Sequence, residues 1–207
     1  MARVVSNDRD YNVSPGPDAV VTRVTPTNTQ LVSVMHGRFY ELSRIGNLFY
    51  AANTAGVLTA ATTTGAALGL CISNPAGNNK DIIIEAYGIT NAVAETALSN
   101  FGLMGGYSVA GVATHTTALA FGTAFASLNL GNPSAPTALV DAAWTAVNPR
   151  VLMMFGGSAL ATAVNTGQFG MIDIGGAIRL QPGAWVSGYT LTAITVQQAF
   201  WWSEEPR

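Results

Sequence analysis

The loop SNPAGNNK, residues 73–80, is the first candidate for a functional site in the sequence. It contains both Gly77 and Lys80, the only lysine of the chain, and glycine and lysine together occur in phosphate-binding loops. A phosphate-binding P-loop has the pattern G-x-x-x-x-G-K-[ST] between a strand and a helix, which aims backbone N–H groups and the helix N-terminus at the anion. Here no Ser or Thr follows the lysine, and Asp81 comes next, ahead of three isoleucines. Because consecutive β-branched residues favour a strand, the pattern does not predict a phosphate site.

The same loop is better explained as a hairpin turn between two strands. It contains an Asn-Pro and a Gly-Asn dipeptide, both typical of turns, and apolar runs flank it on both sides. Lys80 and Asp81 then begin the second strand, where we expect their charges to discourage unwanted pairing at a sheet edge.

The other nucleophilic and metal-binding residue types are dispersed. His36 and His115 lie in unrelated segments without an HxxxH or HExxH spacing, so no zinc site is expected. Cys71, the single cysteine, lies in an apolar run and is expected to be a small buried hydrophobe rather than a nucleophile. The GGSAL stretch, residues 156–160, lacks the last glycine of the G-x-S-x-G nucleophile elbow.

A pair of carboxylates is the last candidate for acid–base chemistry. Asp81 and Glu85 share one face of the predicted strand, but the strand rise separates them by about 13 Å, too far for both to act on one bond. With no catalytic, cofactor-binding or metal-binding set in the sequence, we expect neither enzyme activity nor a cofactor.

The C-terminal AFWWSEEPR offers aromatic residues rather than reactive ones. Neighbouring residues of a strand point to opposite faces, so Trp201 and Trp202 cannot both pack in one core. We expect at least one of them to meet another surface. That surface is a neighbouring subunit or, in a different interpretation, a sugar stacked on an exposed aromatic platform.

The chain as a whole has very few charged residues. Of its residues, 49% are hydrophobic and only 10% are charged, against a usual charged share of about 25%. No Asp, Glu, Lys or Arg occurs from Thr96 to Val140, whereas residues 1–44 hold nine of the charged residues. A surface this neutral predicts that copies of the chain or other proteins cover much of it.

Composition also argues against several classes of partner. The net charge is −2 without a basic cluster, so nucleic-acid binding has no electrostatic support. No window offers about 18 consecutive apolar residues, and the N-terminus lacks the apolar core of a signal peptide. We expect a soluble protein that does not bind membranes and is made in the cytoplasm.

Residues 1–30 differ from the rest of the chain, because they combine charged residues with the turn-prone SPGPD. We interpret them as an N-terminal arm, either a disordered tail or a segment that becomes ordered on a neighbouring subunit. Residues 31–207 are expected to form one domain. The candidate assembly contacts are Arg3, Arg9, Tyr11, Trp201 and Trp202.

Short apolar or alternating runs bounded by Gly, Pro and Asn predict about eight to ten strands in this domain. They include a strand at residues 38–42 and a continuous one at 185–202. Such spacing favours an antiparallel sandwich or barrel. One short helix is predicted at 134–149, with a Ser cap, a Pro in the first turn and a final Asn-Pro. Residues 54–68 fit a helix, a long loop or a hairpin.

Two stretches together resemble virion structural proteins of tailed bacteriophages. They are GRFYELSRIGNLFYAAN, residues 37–53, and LGLCISNPAGNNKDIIIEAYGI, residues 68–89. The late LQPGAWVSGYT and the ending WWSEEPR are similar to the final strand region of such β-sandwich proteins, although a serine here separates tryptophan from the glutamates. The resemblance covers most of residues 37–207 and rests on structural motifs, none of which marks a defined activity.

The resemblance and the composition lead to one expectation. The chain is a non-enzymatic phage virion protein with an antiparallel jelly-roll-like β-sandwich, one short helix and an extended N-terminal arm. It forms a homo-oligomer, expected to be a trimer, and decorates or cements the capsid by contacts with the major capsid protein or another virion protein. The alternative is a tail, fibre or neck component whose sandwich binds a carbohydrate or receptor.

Overall fold

The computed structural model describes residues 23–24, 30–31, 39–53, 55–59, 65–93, 99–108, 114–158 and 170–207. The chain divides into two units, Met1–Tyr40 and Glu41–Arg207. In the first unit, β1 (Arg23–Val24) pairs antiparallel with β2 (Gln30–Leu31). The predicted arm therefore lies almost entirely outside the described residues. Its candidate contacts Arg3, Arg9 and Tyr11 lie outside them too.

The described part of the second unit is built almost entirely from strands. Its one described helix is α1 (Tyr40–Arg44), whose first residue belongs to the first unit. The strands are β3 (Leu48–Ala52), β4 (Val57–Leu58), β5 (Gly65–Ser73), β6 (Lys80–Asn91), β7 (Ser99–Tyr107), β8 (Thr114–Ala118), β9 (Phe125–Ser127), β10 (Leu139–Ala146), β11 (Arg150–Ser158), β12 (Met171–Leu180), β13 (Ala184–Thr190) and β14 (Thr195–Pro206).

These strands form two sheets that pack face to face. The described strands of sheet I have the order β11-β7-β13-β5-β10-β8, and those of sheet II have the order β12-β6-β14-β3-β9, with β4 also on β14. Every strand pairing of the two sheets is antiparallel. The predicted all-β antiparallel sandwich is confirmed.

The core lies between the two sheets and follows from strand alternation. Sheet I contributes Ile72, Leu103 and Val186, while sheet II contributes Ile84 and Phe200, all of them buried. Because side chains alternate between the two faces of a strand, the residues next to these core positions lie on the outer faces. A fully buried apolar side chain stabilises the fold by about 1.5–3 kcal/mol. Burial of the inward-facing side chains therefore holds the two sheets together.

The one described helix is not where the sequence predicted it. Residues 40–42, assigned to a strand, begin α1 instead. The helix ends because Gly46 adopts a left-handed conformation with φ of 74° and donates its N–H to the Ser43 carbonyl at 2.9 Å. Glycine reaches this conformation without steric cost, which makes it the usual helix terminator.

The predicted helix at 134–149 is wrong, because residues 139–146 form β10. This strand lies in sheet I between β5 and β8 and forms hydrogen-bonded ladders with both. The alanines favour a helix locally, but so short a helix is marginal alone. Pairing on both sides and burial of Val140 and Trp144 favour the strand.

The SNPAGNNK loop is a turn, but not a hairpin. The turn is centred on Ala76-Gly77, one residue before the predicted Gly77-Asn78. Gly77 has φ of 84°, and the Asn78 N–H donates to the Pro75 carbonyl at 3.2 Å. The flanking strands do not pair with each other, since β5 lies in sheet I and β6 in sheet II. The loop carries the chain from one sheet to the other. Lys80 and Asp81 begin β6, as predicted. The strand as a whole is interior to sheet II, but these two residues pair with β14 only, since the described pairing with β12 begins at Ile82.

The segment predicted as one strand at 185–202 is likewise two strands in different sheets. β13 lies in sheet I and β14 in sheet II, with residues 191–194 connecting them. Both segments are apolar and alternating, so the sequence pattern alone does not mark the crossing between sheets.

Strand β7 was not predicted, because three of its nine residues are glycines, and glycine disfavours strands. The structure gives the reason for them. A Cβ added at Gly102 would overlap the Met153 carbonyl oxygen, and one at Gly105 would lie 2.7 Å from the Trp185 carbonyl oxygen. The neighbouring backbones approach so closely that only glycine fits.

The outermost described strands of both sheets are short or irregular. β8 has five residues and β9 has three. β11 contains two register shifts against β7. In β12, residues 174–177 interrupt the register with β6. Bulges and short edge strands prevent open-ended pairing between sheets, so the irregular edges disfavour fibre-like stacking.

Candidate assembly surface

A cleft of about 990 Å³ opens between the start of β11 and the end of β12. The two strands belong to different sheets, and the end of β7 and the start of β13 complete the lining. The turn before β11 is fixed by Trp185, whose indole Nε1 donates to the Val147 carbonyl at 3.1 Å. The close packing of β11 on the glycines of β7 fixes the wall above it.

The cleft and the adjoining surface of β11 are apolar and exposed. Tyr107, Val151, Leu152 and Met154 have between 43% and 50% of their surface exposed. Tyr107 and Leu152 line the cleft itself. We call these four residues the β11 patch. Leu152 lies beside Gly105 of β7 and Met154 beside Gly102, two positions that point to opposite faces of the strand, so the patch extends over both faces of β11. Several large exposed apolar side chains on one strand are more typical of interaction sites than a single one is.

Two arginines lie at the cleft, and their surroundings differ. Arg179 of β12 donates from Nε to Asp81 Oδ2 at 2.8 Å and makes a second contact with the same oxygen. Arg150 of β11 is exposed, and its side chain makes no ion pair or hydrogen bond with any residue that the structure describes. One positive charge at the cleft is therefore balanced by a buried carboxylate, while the other faces solvent.

The carboxylates that the sequence offered for acid–base chemistry have structural contacts. Asp81 is buried against Arg179, and the Arg207 guanidinium lies 3.5 Å from its other oxygen. Glu85, also buried, accepts a hydrogen bond from the Ser203 hydroxyl at 2.8 Å. These contacts anchor β12 and β14 to β6.

A second polar cluster forms around Glu204, which the sequence analysis did not single out. The backbone N–H groups of Thr137 and Ala138 donate to Glu204 Oε1 at 2.7 and 2.9 Å. The Thr137 hydroxyl and the Lys80 ammonium reach Oε2 at 2.8 and 3.1 Å. Asn78 of the SNPAGNNK loop donates to the Thr137 hydroxyl at 2.9 Å. The unique lysine thus belongs to a cluster that ties the loop and the segment just before β10 to β14.

A parity signal in the sequence could have revealed Glu204. It lies two residues after Trp202, so it points to the same face of β14 as that core side chain. Lys80, at the start of β6, has Pro206 of β14 as its partner in the ladder, which brings its ammonium group to the carboxylate.

Cys71 is fully buried and free, as a structural cysteine would be. Burial, with a smaller contribution from the nearby Asp141, raises the pKa of its thiol well above the usual value. It packs with Met104, Trp144 and Trp185 on the face of sheet I opposite the core. A thiol held in its protonated form is a poor nucleophile.

The two C-terminal tryptophans lie on opposite faces of β14, as alternation predicted. Trp202 is fully buried in the core and packs on Phe49 with ring centroids 5.9 Å apart. It presents no surface to a second molecule. Trp201 is half-buried on the outer face, across the ladder from Tyr50. Of this pair of candidate contacts, only Trp201 is accessible.

The histidines and the elbow-like stretch form no site that can be described. His115 lies on β8 opposite Trp144, while His36 lies outside the described residues. Gly156 and Gly157 are part of β11, and residues 159–160 lie outside the described residues. Among the described side chains, no three His, Cys, Asp or Glu residues gather closely enough to hold a metal ion. No helix in the same part of the chain has the length and apolar character needed to cross a bilayer.

The sequence does not predict the cleft, because the glycines of β7 hide one of the strands that form it. The residues that line the cleft come mainly from four strands in two sheets, and no local sequence pattern marks them. No family model, curated protein or solved structure matches the chain. The resemblance to phage virion proteins therefore stays a prediction, and the surface itself must suggest a function.

Proposed function

We propose that the chain is a non-enzymatic structural protein of a phage virion that decorates or cements the capsid. In this proposal the sandwich is jelly-roll-like, the chain forms a homotrimer, and its outward partner is the major capsid protein or another virion protein. Synthesis takes place in the host cytoplasm, and the final location is the capsid surface. Neither nucleic acid nor membrane is a partner.

The observation that supports this proposal most is the β11 patch on a body with little charge. A decorating protein must bury apolar surface on its neighbours, and four large exposed apolar side chains beside a cleft provide such a surface. The irregular sheet edges add a second argument. They favour contacts through side chains, which can form closed, symmetric assemblies instead of open-ended sheets.

The non-enzymatic part of the proposal draws on the contacts of the reactive side chains. Cys71 is buried with a raised pKa, while Asp81, Glu85 and Glu204 hold strands or loops together. Many weak contacts, repeated by symmetry, would then supply the attachment strength that one small interface lacks.

The alternative, a tail, fibre or neck component that binds a carbohydrate or receptor, has less support. It relied on an aromatic platform at Trp201 and Trp202, and Trp202 is buried in the core. A sugar would have Trp201 alone to stack on. Loss of glycan binding in Trp201→Ala, with binding kept in Trp202→Phe, would support this alternative.

The number of copies per virion tests the proposal. We expect quantitative mass spectrometry of purified virions of the encoding phage to find hundreds of copies, in a fixed ratio to the major capsid protein. A few copies or a few dozen would indicate a neck or tail position, and absence from the virion would overturn the proposal.

The β11 patch can be tested in the same particles. We expect Leu152→Glu to reduce occupancy on the virion, because it places a charge in an apolar contact that excludes water. Leu130→Glu is the matched control, since Leu130 is 81% exposed and does not belong to the patch. Equal occupancy of the two variants would show that the patch is not the attachment surface.

A further inference from the structure

We propose that the cleft between β11 and β12 binds a peptide segment of a neighbouring protein chain in which a carboxylate side chain is flanked by apolar side chains. This inference rests on the proposed function, because assembly is what supplies the neighbouring chain. It goes further by naming the chemistry of the segment that is recognised and the residue that recognises it.

The apolar part of the recognition comes from the cleft walls. The apolar residues that line the cleft include Leu152 and Met153 of β11, Ile178 of β12 and Tyr107 of β7. The volume of about 990 Å³ lies at the upper end of the range for clefts that hold ligands. Apolar side chains of a bound segment would remove the exposed surface of Tyr107 and Leu152 from water.

The charged part of the recognition comes from Arg150. From residue 45 to the C-terminus the chain has four basic residues, and two of them, Arg150 and Arg179, line this cleft. Asp81 already balances Arg179. The side chain of Arg150 has no such partner among the described residues, so the cleft has one positive charge that is not balanced by a carboxylate. A planar guanidinium beside apolar walls pairs best with a carboxylate, which it can bind through two parallel hydrogen bonds.

The sheet edges explain why side chains, and not strand pairing, would select the segment. β11 carries two register shifts within its nine residues, and β12 is interrupted at residues 174–177. A bulged edge offers no regular ladder of N–H and C=O groups for an added strand. A bound segment is therefore recognised by its apolar and acidic side chains.

Fluorescence anisotropy with the full chain tests the proposal. The probes are labelled pentapeptides of sequence Thr-Val-Glu-Val-Thr and Thr-Val-Lys-Val-Thr. We expect wild type to bind the glutamate peptide at least about tenfold more tightly than the lysine peptide, as coupling between close charges at interfaces indicates. Arg150→Glu should reverse this preference, and Arg150→Lys should keep it in weaker form. Arg44→Glu, which removes an exposed arginine of α1 outside the cleft lining, should leave it unchanged.

Some results would overturn the inference. One is equal affinity of wild type for both peptides, or no binding of the glutamate peptide up to about 1 mM, a binding free energy of only about −4 kcal/mol. The other is an unchanged preference in Arg150→Glu, with circular dichroism showing a folded variant. Either result leaves the copy number per virion untouched, so failure of this inference and failure of the proposed function are distinguishable.

Discussion

At the scale of single residues, Glu204 links the SNPAGNNK loop to the body. One buried carboxylate accepts two backbone N–H groups, one hydroxyl and one ammonium. Its neighbour Glu205 is exposed, because strand alternation turns it to the other face. Two adjacent, chemically identical residues therefore have different roles, and this difference can be measured.

We predict that Glu204→Ala lowers the free energy of unfolding by about 2–4 kcal/mol, because it leaves two N–H groups without their acceptor. Glu205→Ala should change it by no more than about 0.5 kcal/mol, as is usual for exposed positions. Urea unfolding followed by tryptophan fluorescence measures both values. Similar losses in the two variants would contradict the role assigned to Glu204.

Cys71 predicts a dependence of stability on pH. Burial raises its pKa in the folded chain, whereas the unfolded thiol titrates near about 8.5. Above that pH the unfolded state releases a proton that the folded state retains, so the free energy of unfolding falls as pH rises. Below it this contribution is constant.

We expect wild type to lose stability between pH 8 and pH 9.5 more steeply than Cys71→Ala, by up to about 1.4 kcal/mol per pH unit. Urea unfolding at several pH values in this window measures the slopes of both proteins. Parallel slopes would show that the thiol does not stay protonated in the folded chain.

At the scale of elements, the glycines of β7 decide how sheet I is built. They allow β11 to bulge while it stays paired, and the bulged strand carries the β11 patch. In the sequence, the same glycines argue against a strand. The property that hides β7 in the sequence is thus the one that shapes the candidate assembly surface.

We predict that Gly102→Ala destabilises the chain by about 1–3 kcal/mol, the usual cost of overpacking, because its Cβ would overlap the Met153 carbonyl oxygen. Gly170→Ala is the matched control, since nothing lies within 4 Å of a Cβ added there. Thermal unfolding of both variants compares the costs. Full stability of Gly102→Ala would mean that β11 can move away from β7 freely.

At the scale of the whole molecule, low charge and irregular edges act together. Few charges leave a surface that other proteins can cover without desolvating ions, while irregular edges prevent that surface from stacking into fibres. The charged residues are concentrated in residues 1–44, which suggests a separate role for the predicted arm.

We predict that deletion of residues 1–30 weakens attachment to virions and leaves the sandwich folded, because the two sheets are formed within Glu41–Arg207. Co-sedimentation with particles measures attachment, and far-UV circular dichroism measures the fold. Full attachment of the truncated chain would contradict the arm hypothesis. Loss of the β signal would instead show that the arm is needed for folding.

The sequence by itself determined the fold class, the presence of a turn that includes Gly77, and the opposite faces of Trp201 and Trp202. Each depends on residues close together in the chain: alternation, turn dipeptides and side-chain parity. It also indicated that Cys71 is buried. These features can be predicted from neighbouring residues alone, without knowing which strands pair.

Only the tertiary structure decided which strands pair and what lies between them. β10 is a strand because β5 and β8 flank it, although its alanines favour a helix. The SNPAGNNK loop crosses between sheets because its flanking strands pair elsewhere. Glu204 and Lys80, 124 residues apart, and the walls of the cleft come together only through that pairing. Such contacts depend on distant partners, which no window of the sequence contains.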